Sequence, residues 1–189
     1  HASEYVGDYF TARKYITGFT GSAGTAVITL TDAGLWTDSR YFIQAEEQLT
    51  GTGIRLFKDR LPETPSISEW LGSILKEGDK VGIDGWVNSH QEALALRNEL
   101  KTKGLILETM TEDIFDTLWT DRPYLPQSPV FILDETRTGA TCSEKIVRIQ
   151  EAIGKNGASA IILSALDEIA WTLNLRGEDV HCNPVFISY

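Results

Sequence analysis

Two Ser-x-x-Glu pairs, Ser66 with Glu69 and Ser89 with Glu92, constrain the fold more than any other feature of the sequence. In this spacing a hydroxyl accepts from the backbone N–H three residues on, and the glutamate returns to the N–H of the capping residue. Each pair opens a segment with helical character. The first runs to about Leu75 with Gly78 just beyond, the second to about Lys103 with Gly104 as its stop. Lys80–Asp84 and Leu105–Met110 follow them as strands. Upstream, Thr25–Leu30 reads as a strand, Thr31–Gly34 as a turn and Gly34–Asp38 as the returning strand. A helix is expected from Ser39, with Tyr41, Phe42, Ala45 and Leu49 on its apolar face, then a strand over Ile54–Lys58. A short helix over Asp113–Trp119 completes this part. Strands alternating with helices predict a layered α/β or α+β domain.

Pro123, Pro126 and Pro129 then interrupt the pattern, because a run of prolines excludes a helix interior or a central strand. The expected organisation is a first domain over residues 1–122, a linker over 123–129 and a second unit over 130–189. That unit reads as a strand at Val130–Leu133, a helix at Ser143–Lys155, a buried strand at Ala158–Ser164, a helix at Asp167–Asn174 and a final strand at Val185–Tyr189. The chain opens at His1 and closes on this apolar run, and the reading expects a piece of a longer protein.

Lys and Arg number 17 against 27 Asp and Glu, for a net charge of −10, which argues against nucleic-acid binding through phosphates. No apolar run approaches the roughly 20 residues of a membrane span. Cys142 and Cys182 form no disulfide framework, and a reduced, cytoplasmic setting is expected. Trp70, Trp86, Trp119 and Trp171 fall at or beside apolar positions of the elements and read as core.

Few residues suggest chemistry. Gly18, Gly21 and Gly24 could let backbone N–H groups approach a phosphate, but they precede a strand, whereas the known phosphate loops lead into a helix. His1, His90 and His181 are isolated, so no metal site is expected within the chain. Ser22 has Thr20 where a nucleophile elbow needs glycine. Cys182 adjoins His181, but in an extended segment the two side chains would point apart. The most informative stretch is Trp36-Thr37-Asp38-Ser39-Arg40-Tyr41-Phe42, at a strand-to-helix edge where α/β sheets place ligand-contacting groups. Arg40 is there either a donor to a substrate carboxylate or carbonyl, an ion-pair partner of Asp38 or Glu46, or a solvated arginine.

Together, His1–Tyr5, Gly18–Ala26, Trp36–Phe42, Leu61–Pro65, Val81–Asp84, Trp119–Pro123, Ala165–Gly177 and Asn183–Phe186 resemble the N-terminal portion of the Xaa-Pro aminopeptidases (aminopeptidase P). The resemblance runs in order along essentially the whole chain. It implies a creatinase/prolidase-type α/β domain, a mixed sheet flanked by helices of ribonuclease H-like kind, and then the start of a second domain of that type. A pita-bread catalytic domain would follow.

It further implies a parent hydrolase that removes the residue preceding a proline at the second position of a peptide, using two divalent metal ions, typically manganese, held in that third domain. No catalytic or metal-binding residue is therefore expected in this chain. Arg40 alone carries over as substrate-binding, from the arginine of the family's Trp-Thr-Asp-Gly-Arg stretch, with Ser39 standing in place of that glycine. The family's opening strand would precede His1. Parents of this kind are commonly homodimers, and a homodimer is expected, with no nucleic-acid or membrane partner. A contrasting expectation is a non-catalytic scaffold, as in histone-chaperone subunits that resemble this family. A third is a phosphate or small-molecule sensor built on the glycine-rich segment.

Overall fold

The computed structural model describes residues 6–188. They group into two compact units, one of residues 11–122 and one of residues 6–10 with 123–188.

The first unit begins with α1 (Ala12–Thr17), stopped by Gly18 in the left-handed conformation at φ 73°. A residue with no Cβ enters that region without penalty. Strands β1 (Thr25–Ile28) and β2 (Ala33–Thr37) form the expected hairpin, antiparallel with Thr25 opposite Trp36. Helix α2 (Phe42–Gln48) then carries the chain to β3 (Arg55–Lys58), which pairs parallel to β2 with Trp36 opposite Phe57. A parallel pair requires such a crossover.

Both capping boxes form. Ser66 and Glu69 open α3 (Ile67–Ile74), and Ser89 and Glu92 open α4 (His90–Thr102). Helix α4 is the crossover between β4 (Lys80–Asp84) and β5 (Ile106–Met110), a second parallel pair. Among the described residues of this unit the strands thus form a three-stranded mixed sheet in the order β1-β2-β3 and a two-stranded sheet of β4 and β5. One hydrophobic cluster draws on both: Trp36, Trp70, Leu71, Leu100, Leu105 and Leu107, with Val27, Phe57, Val81 and Ile83 packed on it. Trp36 stacks on Phe57 at 4.0 Å between centroids, and its Nε1 donates to Pro65 O at 2.9 Å. A second cluster of Phe19, Leu35, Ala45 and Leu49 fixes α2 over β2. Helix α5 (Phe115–Leu118) ends the unit, where Trp119 stacks on Tyr15 at 4.5 Å and Arg122 pairs with Asp113 at 2.7 Å.

The second unit holds the pair β6 (Phe131–Ile132) and β7 (Leu175–Arg176), with α6 (Glu135–Thr138), α7 (Cys142–Lys155) and α8 (Leu166–Leu173) between them in sequence. Its small core is Ala170, Val180 and Val185. Three expectations change here. Ala158–Ser164 is not a strand, because no strand among the described residues pairs with it, and Ile162 is 91% exposed. Residues 185–188 are likewise irregular: Val185 N–H bonds locally to Asn183 O, and Ile187 N–H is taken by the Asp179 carboxylate. Tyr189 lies outside the described residues. Trp86 and Trp171 are 70% and 51% exposed, so of the four tryptophans expected in the core only Trp70 is fully buried.

Candidate functional site

The strand-to-helix edge singled out in the sequence is a tight turn with its own wiring. Asp38 leaves the end of β2, its carbonyl accepts from Tyr41 N–H at 3.0 Å, and its Oδ1 accepts from Arg40 N–H at 3.0 Å. Ser39 is not in the left-handed region, so this turn does not require glycine.

The Arg40 guanidinium closes on Asp38 along one edge, Nε to Oδ1 at 3.0 Å and Nη2 to Oδ2 at 2.9 Å. It also lies 5.2 Å from the centre of the Tyr41 ring. Both partners stay wet: the Arg40 side chain is 56% exposed and that of Asp38 28%. The hydrogen bond from Arg40, ahead of the smaller effect of charge, holds the Asp38 carboxyl below the usual aspartate range. Glu46, the other expected partner, pairs instead with Lys58.

The glycine-rich segment wraps the inner side of this turn. Phe19 is fully buried, with its ring edge-on to Tyr41 at 5.9 Å. Ser22 Oγ and Tyr41 Oη share a hydrogen bond of 2.6 Å, and Thr37 Oγ1 donates to Ala23 O at 2.7 Å. From α1, Arg13 reaches across the segment, donating through Nη1 to Gly24 O at 2.7 Å and through Nη2 to Gly21 O. The segment therefore presents two carbonyls to a cation of its own unit. A phosphate cradle would present N–H groups.

Sequence reasoning missed Arg13 and the Ser22–Tyr41 bond, since both link residues eight to nineteen positions apart across a loop without periodicity. The remaining candidates do not converge. His90 begins α4, and His181 and Cys182 sit in an exposed turn where Cys182 has φ 59°, so the extended segment expected there is absent. Asp167 and Glu168 occupy the first turn of α8, where acidic groups complement the helix dipole. Among the described residues no three His, Cys, Asp or Glu side chains come together to hold a metal ion, and no helix is long and apolar enough to cross a membrane.

Residues 9–114 match the Creatinase/Prolidase N-terminal domain, and residues 121–189 match a second profile of the same description. The chain is 42% identical over its whole length to a probable Xaa-Pro aminopeptidase P of Coprinopsis cinerea and 40% identical to Xaa-Pro aminopeptidase 1 of Dictyostelium discoideum. It covers 30% and 31% of those two proteins. Among solved structures it superposes on the X-prolyl aminopeptidase of Caenorhabditis elegans, described as a cytosolic enzyme with a di-nuclear active site. The TM-score is 0.87 at 36% identity, over 97% of this chain and 30% of that one. The chain spans under a third of the length of these relatives, and it belongs to the creatinase/prolidase N-terminal family.

Proposed function

We propose that this chain is the N-terminal, non-catalytic portion of an Xaa-Pro aminopeptidase. The observation that carries the reading is its end-to-end match, at about two-fifths identity, to relatives named for that activity. The complete protein hydrolyses the bond between a peptide's first residue and a proline at the second position. Two divalent metal ions, manganese in this proposal, activate water for that hydrolysis. In this reading the residues that hold the metals, and the chemistry, belong to the remainder of the protein. The complete protein works as a cytosolic homodimer.

This chain's own contribution is to position substrate. A peptide longer than two residues extends past the cleaved bond, and an arginine at a strand-to-helix edge donates to its carbonyls or its terminal carboxylate through a fixed fork. Arg40 is that residue in our reading, with Asp38 holding one edge of its guanidinium.

The test is kinetic. The complete protein should cleave Xaa-Pro peptides, and the isolated chain should not. Arg40→Ala in the complete protein should lower kcat/KM on tripeptides and longer substrates by roughly 1.5–3 kcal/mol, the range for a lost charge-assisted hydrogen bond. Folding and metal content should stay at the wild-type level, because Arg40 is exposed. Unchanged kinetics on longer peptides would sink the assignment of Arg40. Absence of Xaa-Pro cleavage by the complete protein would favour the scaffold.

A further inference from the structure

Arg13 is a half-buried cation for which, among the described residues, no carboxylate lies within ion-pair distance. Its guanidinium sits 5.8 Å from the centre of the buried Phe19 ring, and its Nε is enclosed without a hydrogen-bond acceptor. Burial lowers its pKa, which records the cost of enclosing the charge. Among the described residues, the hydrogen bonds of its donors go to two backbone carbonyls, Gly21 O and Gly24 O. A charge held so expensively for two carbonyls suggests a need for geometry. A guanidinium can bridge two acceptors at a fixed angle, whereas an ammonium cannot hold both in one plane.

The bridged segment is the one that reaches Arg40. Between the two carbonyls lie Ser22 and Ala23, which hold Tyr41 and Thr37. Tyr41 in turn supplies the ring beside the Arg40 guanidinium. We propose that Arg13 is a positioning residue for Arg40: by clamping the Gly21 and Gly24 carbonyls it fixes Ser22 and Tyr41, and through them the face that Arg40 presents to peptide substrate. The proposal rests on the substrate role of Arg40 and adds the element that aims it.

The experiment is a double-mutant cycle in the complete protein, read on a tripeptide with proline at its second position. Arg13→Lys keeps the charge and loses the bridge, and it should raise KM about tenfold with kcat within about twofold of wild type. In the Arg40→Ala background the same substitution should change KM by less than about twofold, because the residue being aimed is gone. Where Arg13→Lys fails to fold, Tyr41→Phe serves, since it cuts only the bond to Ser22. It should raise KM about threefold alone and leave KM unchanged in the Arg40→Ala background. Losses that multiply in the double mutants overturn the proposal and make Arg13 a packing residue, while the Arg40 reading stands. Wild-type kinetics for Arg40→Ala alone overturn both.

Discussion

The Arg40 guanidinium meets the Asp38 carboxylate edge to edge, at 3.0 and 2.9 Å, across a single intervening residue. Asp38 also accepts from the Arg40 N–H, so one carboxylate sets both the backbone turn and the side-chain direction. Removing its charge should therefore disturb Arg40 more than the fold. Asp38→Asn in the complete protein is expected to weaken KM for longer peptides while the midpoint of thermal unfolding moves little. A wild-type KM would show that Arg40 aims itself.

The same pair gives a pH dependence of known sign. Arg40 holds the Asp38 carboxyl below the ordinary aspartate value. The contribution of such a group is present above that ordinary value and is lost as pH falls through the lowered one. Carboxyl-resolved NMR titration should find Asp38 ionising below about 3.9, the model-peptide value, and returning toward it in Arg40→Ala. Identical titration in both proteins would mean that the contact is not populated in solution.

Helices α3, α4 and α7 share one acid-sensitive device. Glu69, Glu92 and Glu144 each accept from the residue capping their helix, and those hydrogen bonds hold all three carboxyls below the usual range. The closure they provide should be lost as pH falls through those lowered values, so amide protection at these three N-termini, taken relative to the intrinsic exchange rate, should fall together in acid. Thr141→Ala removes the hydroxyl that caps α7 and should cost about 1 kcal/mol in chemical denaturation.

How far the sequence could be read follows from the range of each interaction. The boxes at Ser66 and Ser89 act within four residues, so they were visible. The box at Thr141 obeys the same rule, but Ser143 competed for the same start. Strands β4 and β5 were legible because each is a β-rich run between a helix and a turn. At 158–164 the composition was equally β-rich, but a strand exists only with a partner, and none of the described strands supplies one. The edge that carries Arg40 could be read from the sequence, while the contacts that join Tyr41, Ser22 and Arg13 around it are tertiary and leave no periodic signal. Trp171 looked like core by spacing, yet it lies half exposed and its ring covers a lysine.

Glycine at position 21 is required for space. A Cβ there would overlap the Phe19 ring, with Cε1 only 2.8 Å away, and Phe19 is fully buried and cannot withdraw. Gly21→Ala should destabilise the first unit by about 1–3 kcal/mol, the usual cost of overpacking. It should also displace the Ser22–Tyr41 bond, so the Tyr41 ring resonances should shift in NMR spectra along with the unfolding midpoint. Wild-type stability would show that the loop can move away from Phe19.

The lysine under the Trp171 ring is Lys145. Its side chain is 2% exposed, its Nζ donates to Trp171 O at 2.8 Å and to Asn174 Oδ1 at 2.6 Å, and the Trp171 ring lies 4.2 Å away. Asn174 is itself buried in the left-handed conformation and donates to Ala140 O at 2.9 Å. One amine thus ties the first turn of α7 to the end of α8 and, through Asn174, to the turn before α7. Lys145→Met keeps the stem but leaves two acceptors without a donor, at a cost of about 1–3 kcal/mol. Burial, ahead of repulsion from Arg176, lowers the pKa of Lys145. In the window between that lowered value and the ordinary lysine value, about 10.4, the unfolded chain holds more protons than the folded one, so stability from this group rises with pH. The stability difference between wild type and Lys145→Met, followed by denaturant midpoint, should therefore widen in favour of wild type as pH climbs through that window. A difference that stays flat or narrows would mean that Lys145 keeps its proton as easily when folded as when unfolded.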